Sequence, residues 1–102
     1  MGAVTWIESD GAYVNVHAGG RTHVVRESMA QIIERLGAAS FVRIHRSAGI
    51  NLAHVRAVRR AKTKGLEVEL SDGVRLPISR RKARDVIELL RRDRDRTARN
   101  TA

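Results

Sequence analysis

Phe41-Val42-Arg43-Ile44-His45-Arg46-Ser47-Ala48-Gly49-Ile50-Asn51 holds the strongest structural signal in the chain. It opens with the two-residue alternation of a strand, Val42 and Ile44 on one side and Phe41 and Arg43 on the other. The alternation then breaks. His45, Arg46 and Ser47 place an imidazole, a guanidinium and a hydroxyl within about 10 Å of extended chain. Ala48 and Gly49 are small, and Gly49 permits a bulge or the close approach of a neighbour. Ile50 and Leu52 restore apolar character, with Asn51 between them suited to bonding nearby backbone. A polar cluster between two strand-like pieces is where a sheet protein presents recognition groups.

On the N-terminal side, Val4-Thr5-Trp6-Ile7-Glu8 is a strand rich in β-branched and aromatic residues, and Ser9-Asp10-Gly11 carries turn chemistry. Tyr13, Val14 and Val16 begin a second strand, which Gly19-Gly20 turns into Thr22-His23-Val24-Val25-Arg26. His17 and His23 flank that turn; two imidazoles without further ligands make a poor metal site, so they are expected to be exposed strand residues. Ser28-Met29-Ala30-Gln31 is a capping box, followed by Ile32, Ile33 and Leu36 on one helical stripe and by Gly37 as a stop. Glu34 and Arg35 are expected on its solvated side.

On the C-terminal side, His54 to Arg60 alternates apolar with basic residues, and Thr63-Lys64-Gly65 is a turn. Leu66, Val68 and Leu70 alternate with Glu67 and Glu69, predicting a half-buried strand with a solvated acidic face. Ser71-Asp72-Gly73 turns the chain into Val74, Leu76 and Ile78, where Pro77 marks an edge. Ser79 is positioned to start a second helix with Ala83, Val86, Ile87 and Leu90 at helical spacing. Its first turn carries Arg80, Arg81, Lys82 and Arg84, cations at the positive end of a helix dipole, an arrangement that an anion would relieve. Past Arg91 the apolar stripe stops. Residues 1–91 are read as one domain and 92–102 as a disordered basic tail.

Composition narrows the function. Among 102 residues, 20 Lys and Arg against 11 Asp and Glu leave a formal charge of +9, which points to a polyanionic partner. The chain has no cysteine, which removes disulfide scaffolds and thiolate metal sites. No apolar run approaches the roughly 18 residues of a membrane span, so no membrane partner is expected and a cytoplasmic location is. Only three aromatic residues are present, too few for a stacking platform for single strands.

The motif Phe41-x-Arg43-x-His45-Arg46-Ser47, followed by Ile50-Asn51-Leu52, resembles the LytTR family of bacterial DNA-binding domains. Trp6-Ile7-Glu8-Ser9 with Tyr13-Val14, Val25 to Met29, and Asp72 to Arg81 fall in the same family's order, so the likeness runs from about Val4 to Leu90. The resemblance implies a mainly β fold with short helices: an elongated stack of small antiparallel sheets, one helix after the first hairpin and one at the C-terminus. It implies a transcriptional regulator of the response-regulator kind whose loops read successive major grooves of double-stranded DNA, without a cofactor. A second copy on adjacent repeats is a further expected partner. Carried onto this sequence, Arg46 is the base-reading candidate in one groove and Arg81, with Arg80 close by, the candidate in the other, while His45, Ser47 and Lys82 contact the backbone. Asn51 matches a family hallmark and is read as holding the loop. Three departures stand out. Ala12 replaces the Asn usual before the hairpin Tyr, Ala48-Gly49 replaces larger residues and implies a looser sheet edge, and the family's hairpin ahead of Trp6 is missing.

Two alternatives compete with duplex binding. Arg80-Arg81-Lys82-Ala83-Arg84 fits the Arg-x-x-x-Arg start of a cyclic-dinucleotide-binding, PilZ-like module, but no Asp/Asn-x-Ser-x-x-Gly follows. His45, Ser47 and Asp72 are of catalytic-triad type, but no nucleophile elbow or phosphate loop accompanies them, so the chain is expected not to be an enzyme.

Overall fold

The structure, a computed structural model, describes residues 4–62 and 64–100. Two antiparallel sheets and two helices form a body of 40 × 34 × 22 Å. The five-stranded sheet contains β1 (Val4–Asp10), β2 (Tyr13–Ala18), β3 (Arg21–Val25), β4 (Phe41–His45) and β5 (Ala48–Asn51), in the order β3-β2-β1-β5-β4. The three-stranded sheet runs β6 (Val55–Arg60), β7 (Leu66–Leu70) and β8 (Arg75–Ile78). Helix α1 (Met29–Leu36) links β3 to β4, and α2 (Arg80–Asn100) follows β8.

Local chemistry accounts for the joints. Gly19 and Gly20 adopt φ of 57° and 78°, the left-handed pair that a two-residue hairpin turn requires. The Ser28 hydroxyl accepts from the Gln31 amide while Gln31 Oε1 accepts from the Ser28 amide, closing the capping box. Asn51 Nδ2 donates to the Val4 carbonyl at 2.8 Å, and its Oδ1 accepts from the Ala53 amide to cap a 3₁₀ turn over Leu52–His54. Asn51 therefore ties β1 to the crossover between the two sheets, as expected of a residue that holds a loop.

Each face of the larger sheet has its own core. Ile7, Val14, Met29 and Ile32 pack beneath α1. On the other face Ile44, Ile50 and Leu52 meet Val68 and Leu70 of the smaller sheet and Val86 and Leu90 of α2. This second cluster joins the sheets and fixes α2 against β4, where the Ser79 amide also donates to the Ile44 carbonyl at 2.8 Å.

Several sequence-based expectations need correction. Ala48 and Gly49 do not sit at a loose edge: β5 is paired on both sides, by β1 and β4, and Ala48 is 1% exposed. A side chain at Gly49 would place its Cβ 3.3 Å from Ile7 Cγ1 and 3.4 Å from Ile33 Cδ1, so the small residue permits α1 to close on the sheet. Gly49→Val is expected to destabilise the fold by about 1–3 kcal/mol through overpacking, measurable by chemical denaturation. Glu69 is buried, with its Oε1 2.9 Å from Arg59 Nε and its Oε2 3.6 Å from Arg56 Nη1. The former contact is an ion pair, not a well-angled hydrogen bond. His17 stacks on Trp6 at 4.1 Å, donates from Nε2 to Glu8 and meets the Thr22 hydroxyl through Nδ1. Cross-strand pairing sets His17 opposite Thr22 and His23 opposite Val16, so the two imidazoles occupy opposite faces. Ile87 is exposed, whereas Glu34 and Arg35 lie on the solvated side of α1 as expected, with Arg35 also paired to Glu27. Finally, α2 stays helical to Asn100, past Arg91 where the apolar stripe ends. Glu88 pairs with Arg91 and Arg92 at i+3 and i+4, contacts that suit a charged helix in water.

Candidate nucleic-acid interface

The β4–β5 turn and the start of α2 come together. Arg43, His45, Arg46, Ser79, Arg81 and Lys82 line one open cleft of about 580 Å³, with four permanent cations and no carboxylate among them. Two segments more than thirty residues apart in sequence thus form one basic surface. The Ile44 carbonyl on the Ser79 amide and the burial of Val86 and Leu90 beside Ile44 hold them together.

Each wall is stiffened from within. Ser47 donates its backbone N–H to His45 Nδ1 at 3.1 Å, and its carbonyl accepts from the Ser9 amide at 2.9 Å. Arg43 Nη2 donates to the Arg46 carbonyl at 3.0 Å, fixing the backbone from which the exposed Arg46 side chain departs. On the helix, the Ser79 carbonyl accepts from the Lys82 amide. The first turn of α2 contains no acid, so its exposed amides and cations present one sign of charge.

His45 is held neutral at pH 7. Burial, and secondarily the charge of Arg46, lowers its pKa below the ordinary 6.5. The Nδ1 lone pair occupied by the Ser47 amide requires that the proton sit on Nε2, which makes Nε2 a donor available to an anionic partner. A lowered folded-state pKa means that the unfolded chain binds more protons in the interval below 6.5. The stability due to neutral His45 is then fully present above 6.5 and is lost as pH falls through that value and then through the lower folded pKa. The gap in stability between the native chain and His45→Asn is expected to narrow over that range, as denaturation curves at several pH values would register.

Of the residues singled out from sequence, Arg46, Arg81, His45 and Lys82 border the cleft, whereas Arg80 and Ser47 do not. Arg80 is exposed next to it, and Ser47 serves through its backbone. Arg43 and Ser79 do border it and had no site role in the sequence reading. Arg43 also lines a neighbouring polar cleft of about 410 Å³ with Gly11, Tyr13, Arg26 and Ser28. The alternation in β4 placed Arg43 opposite Val42 but gave no sign that its guanidinium grips Arg46. The triad-type residues form no relay: His45 Nδ1 is taken by the Ser47 amide, and Asp72 Oδ1 accepts from the Val74 amide.

Comparison with known proteins bears on what this surface serves. The family model of the LytTr DNA-binding domain matches residues 1–91. The CO-responsive transcriptional regulator RcoM of Rhodospirillum rubrum is 37% identical over 78 residues, covering 76% of this chain and 33% of that protein. The sensory transduction protein LytT of Bacillus subtilis is 23% identical over 87 residues, covering 85% of this chain and 36% of the relative. The chain thus spans about a third of the length of these relatives. Among solved structures, the LytTr DNA-binding domain of a Bacillus cereus response regulator superposes with a TM-score of 0.75 at 26% identity, over 85% of this chain and 80% of the other. With the family model covering most of its length and the two-sheet fold shared, this chain belongs to the LytTR DNA-binding domain family.

Proposed function

We propose that the chain binds specific duplex DNA sequences as the DNA-binding part of a bacterial transcriptional regulator, with Arg46 and Arg81 at base edges. The observation that carries this reading is the single cleft bordered by four cations from two distant segments, without an opposing acid. Arginine suits base reading because its forked donors match the paired acceptors of guanine, while Lys and neutral His bind phosphate as simpler donors. Lys82, His45 through Nε2, and Arg80 beside the cleft are assigned to the DNA backbone, and Ser47 to the turn that presents Arg46. Successive major grooves lie about 34 Å apart, too far for two side chains that share one cleft. Arg46 and Arg81 are therefore assigned to one stretch of duplex, in place of the separate grooves that the family resemblance implied. A second copy on an adjacent repeat and a cytoplasmic setting accord with this role.

Selection of bound oligonucleotides from a random duplex pool tests the proposal. Enrichment of a defined motif is expected; a pool that stays random after repeated rounds would show binding without sequence preference.

A further inference from the structure

A second, chemically different cavity lies at the Gly19-Gly20 end of the β2–β3 hairpin. This mainly apolar cleft of about 570 Å³ lies between the last turn of α1 and the Gly19 end of the hairpin. Val16 and Val25 from the strands and Ile32 and Leu36 from the helix form its walls. Val16, Val25 and Leu36 remain only half-buried there. Pairing of Arg21 with Ala18 and of His23 with Val16 sets both polar residues on this same face, where they border the cleft.

The charge around the cleft is unequal. Glu27 and Arg35 on one rim neutralise each other as an ion pair. The Arg21 guanidinium has no acceptor or acid among the described residues, nor has the His23 ring. An uncompensated guanidinium over aliphatic walls, in a volume within the roughly 300–1,000 Å³ of small-molecule sites, matches one ligand chemistry. We propose that this cleft binds a small amphipathic carboxylate, its aliphatic body against Val16, Val25, Ile32 and Leu36 and its head group on Arg21. A single free cation selects a monoanion. The cleft shares no lining residue with the basic cleft at Arg46, so this assignment stands apart from the DNA-binding reading.

Decanoate and decanol, each below its micellar concentration, are suitable probes in amide NMR titrations of the whole chain. Decanoate is expected to give saturable shifts centred on Val16, His23 and Leu36. Arg21→Ala, a change at an exposed strand position, is expected to weaken decanoate about tenfold, the loss of one charge-assisted bond, and to leave decanol unchanged. Shifts that never saturate, or decanoate affinity equal in the native chain and Arg21→Ala, would overturn the assignment. So would a concentration-dependent dimer in sedimentation whose interface covers these residues, because the occupant would then be a second copy.

Discussion

Raising the salt concentration from about 50 mM to about 200 mM is expected to weaken duplex binding by about 150-fold. The cations Arg43, Arg46, Arg81 and Lys82 border the basic cleft, and Arg80 and Arg84 lie within the first five residues of α2. With Arg46 and Arg81 assigned to base edges, the other four neutralise about one phosphate each; log K then falls with log salt at a slope of about −3.6, and a fourfold rise in salt gives that loss. Neutral His45 adds a hydrogen bond without adding to the slope. A slope near zero would mean that the cleft does not engage phosphates, and a preference for single strands would contradict the duplex reading.

The second large effect separates base reading from anchoring. Arg46→Ala is expected to cost about 1–3 kcal/mol on the preferred site and to flatten discrimination at one or two base positions. The test is clean because Arg43 grips the Arg46 carbonyl and not its side chain, so the turn keeps its shape when the guanidinium is removed. Lys82→Ala should weaken all duplexes about equally and reduce the salt slope by about 1. Equal weakening of preferred and random DNA by Arg46→Ala would assign Arg46 to phosphate.

What was legible in the sequence follows the range of the interactions. The capping box at Ser28, the glycine turn at Gly19-Gly20 and the β4–β5 hairpin rest on neighbours a few residues apart, and short patterns encode them well. Pro77 on the edge strand β8 was legible for the same reason, because a missing N–H restricts position regardless of partners. Long-range pairings were not legible. Strand alternation assigned Glu69 to a face, yet only the approach of β6 shows that Arg56 and Arg59 cover it. Ala48-Gly49 looked like a loosened edge because sequence gives size but not strand order, and β5 turned out to lie between β1 and β4.

The site divides in the same way. Arg46 and Arg81 could be named from separate motifs, whereas their shared cleft depends on Val86 and Leu90 of α2 packing with Ile44 of β4. Arg43 was missed because its function is a hydrogen bond to the backbone of Arg46, and side-chain periodicity does not report on that.

The most direct test of the cleft as the reading surface compares Arg81→Lys with Arg80→Lys. Both keep the charge and both residues are exposed, but Arg81 borders the cleft and Arg80 does not. Lysine cannot reproduce the forked, planar donors that a base edge requires. Affinities of both variants for a preferred and a scrambled duplex, with melting temperatures recorded alongside, give the result. Arg81→Lys should lose most of the discrimination between the two duplexes, Arg80→Lys should retain it, and both should melt with the native chain. Discrimination intact in Arg81→Lys together with a large fall in its melting temperature would contradict the account, making Arg81 a structural residue and not a reader of DNA.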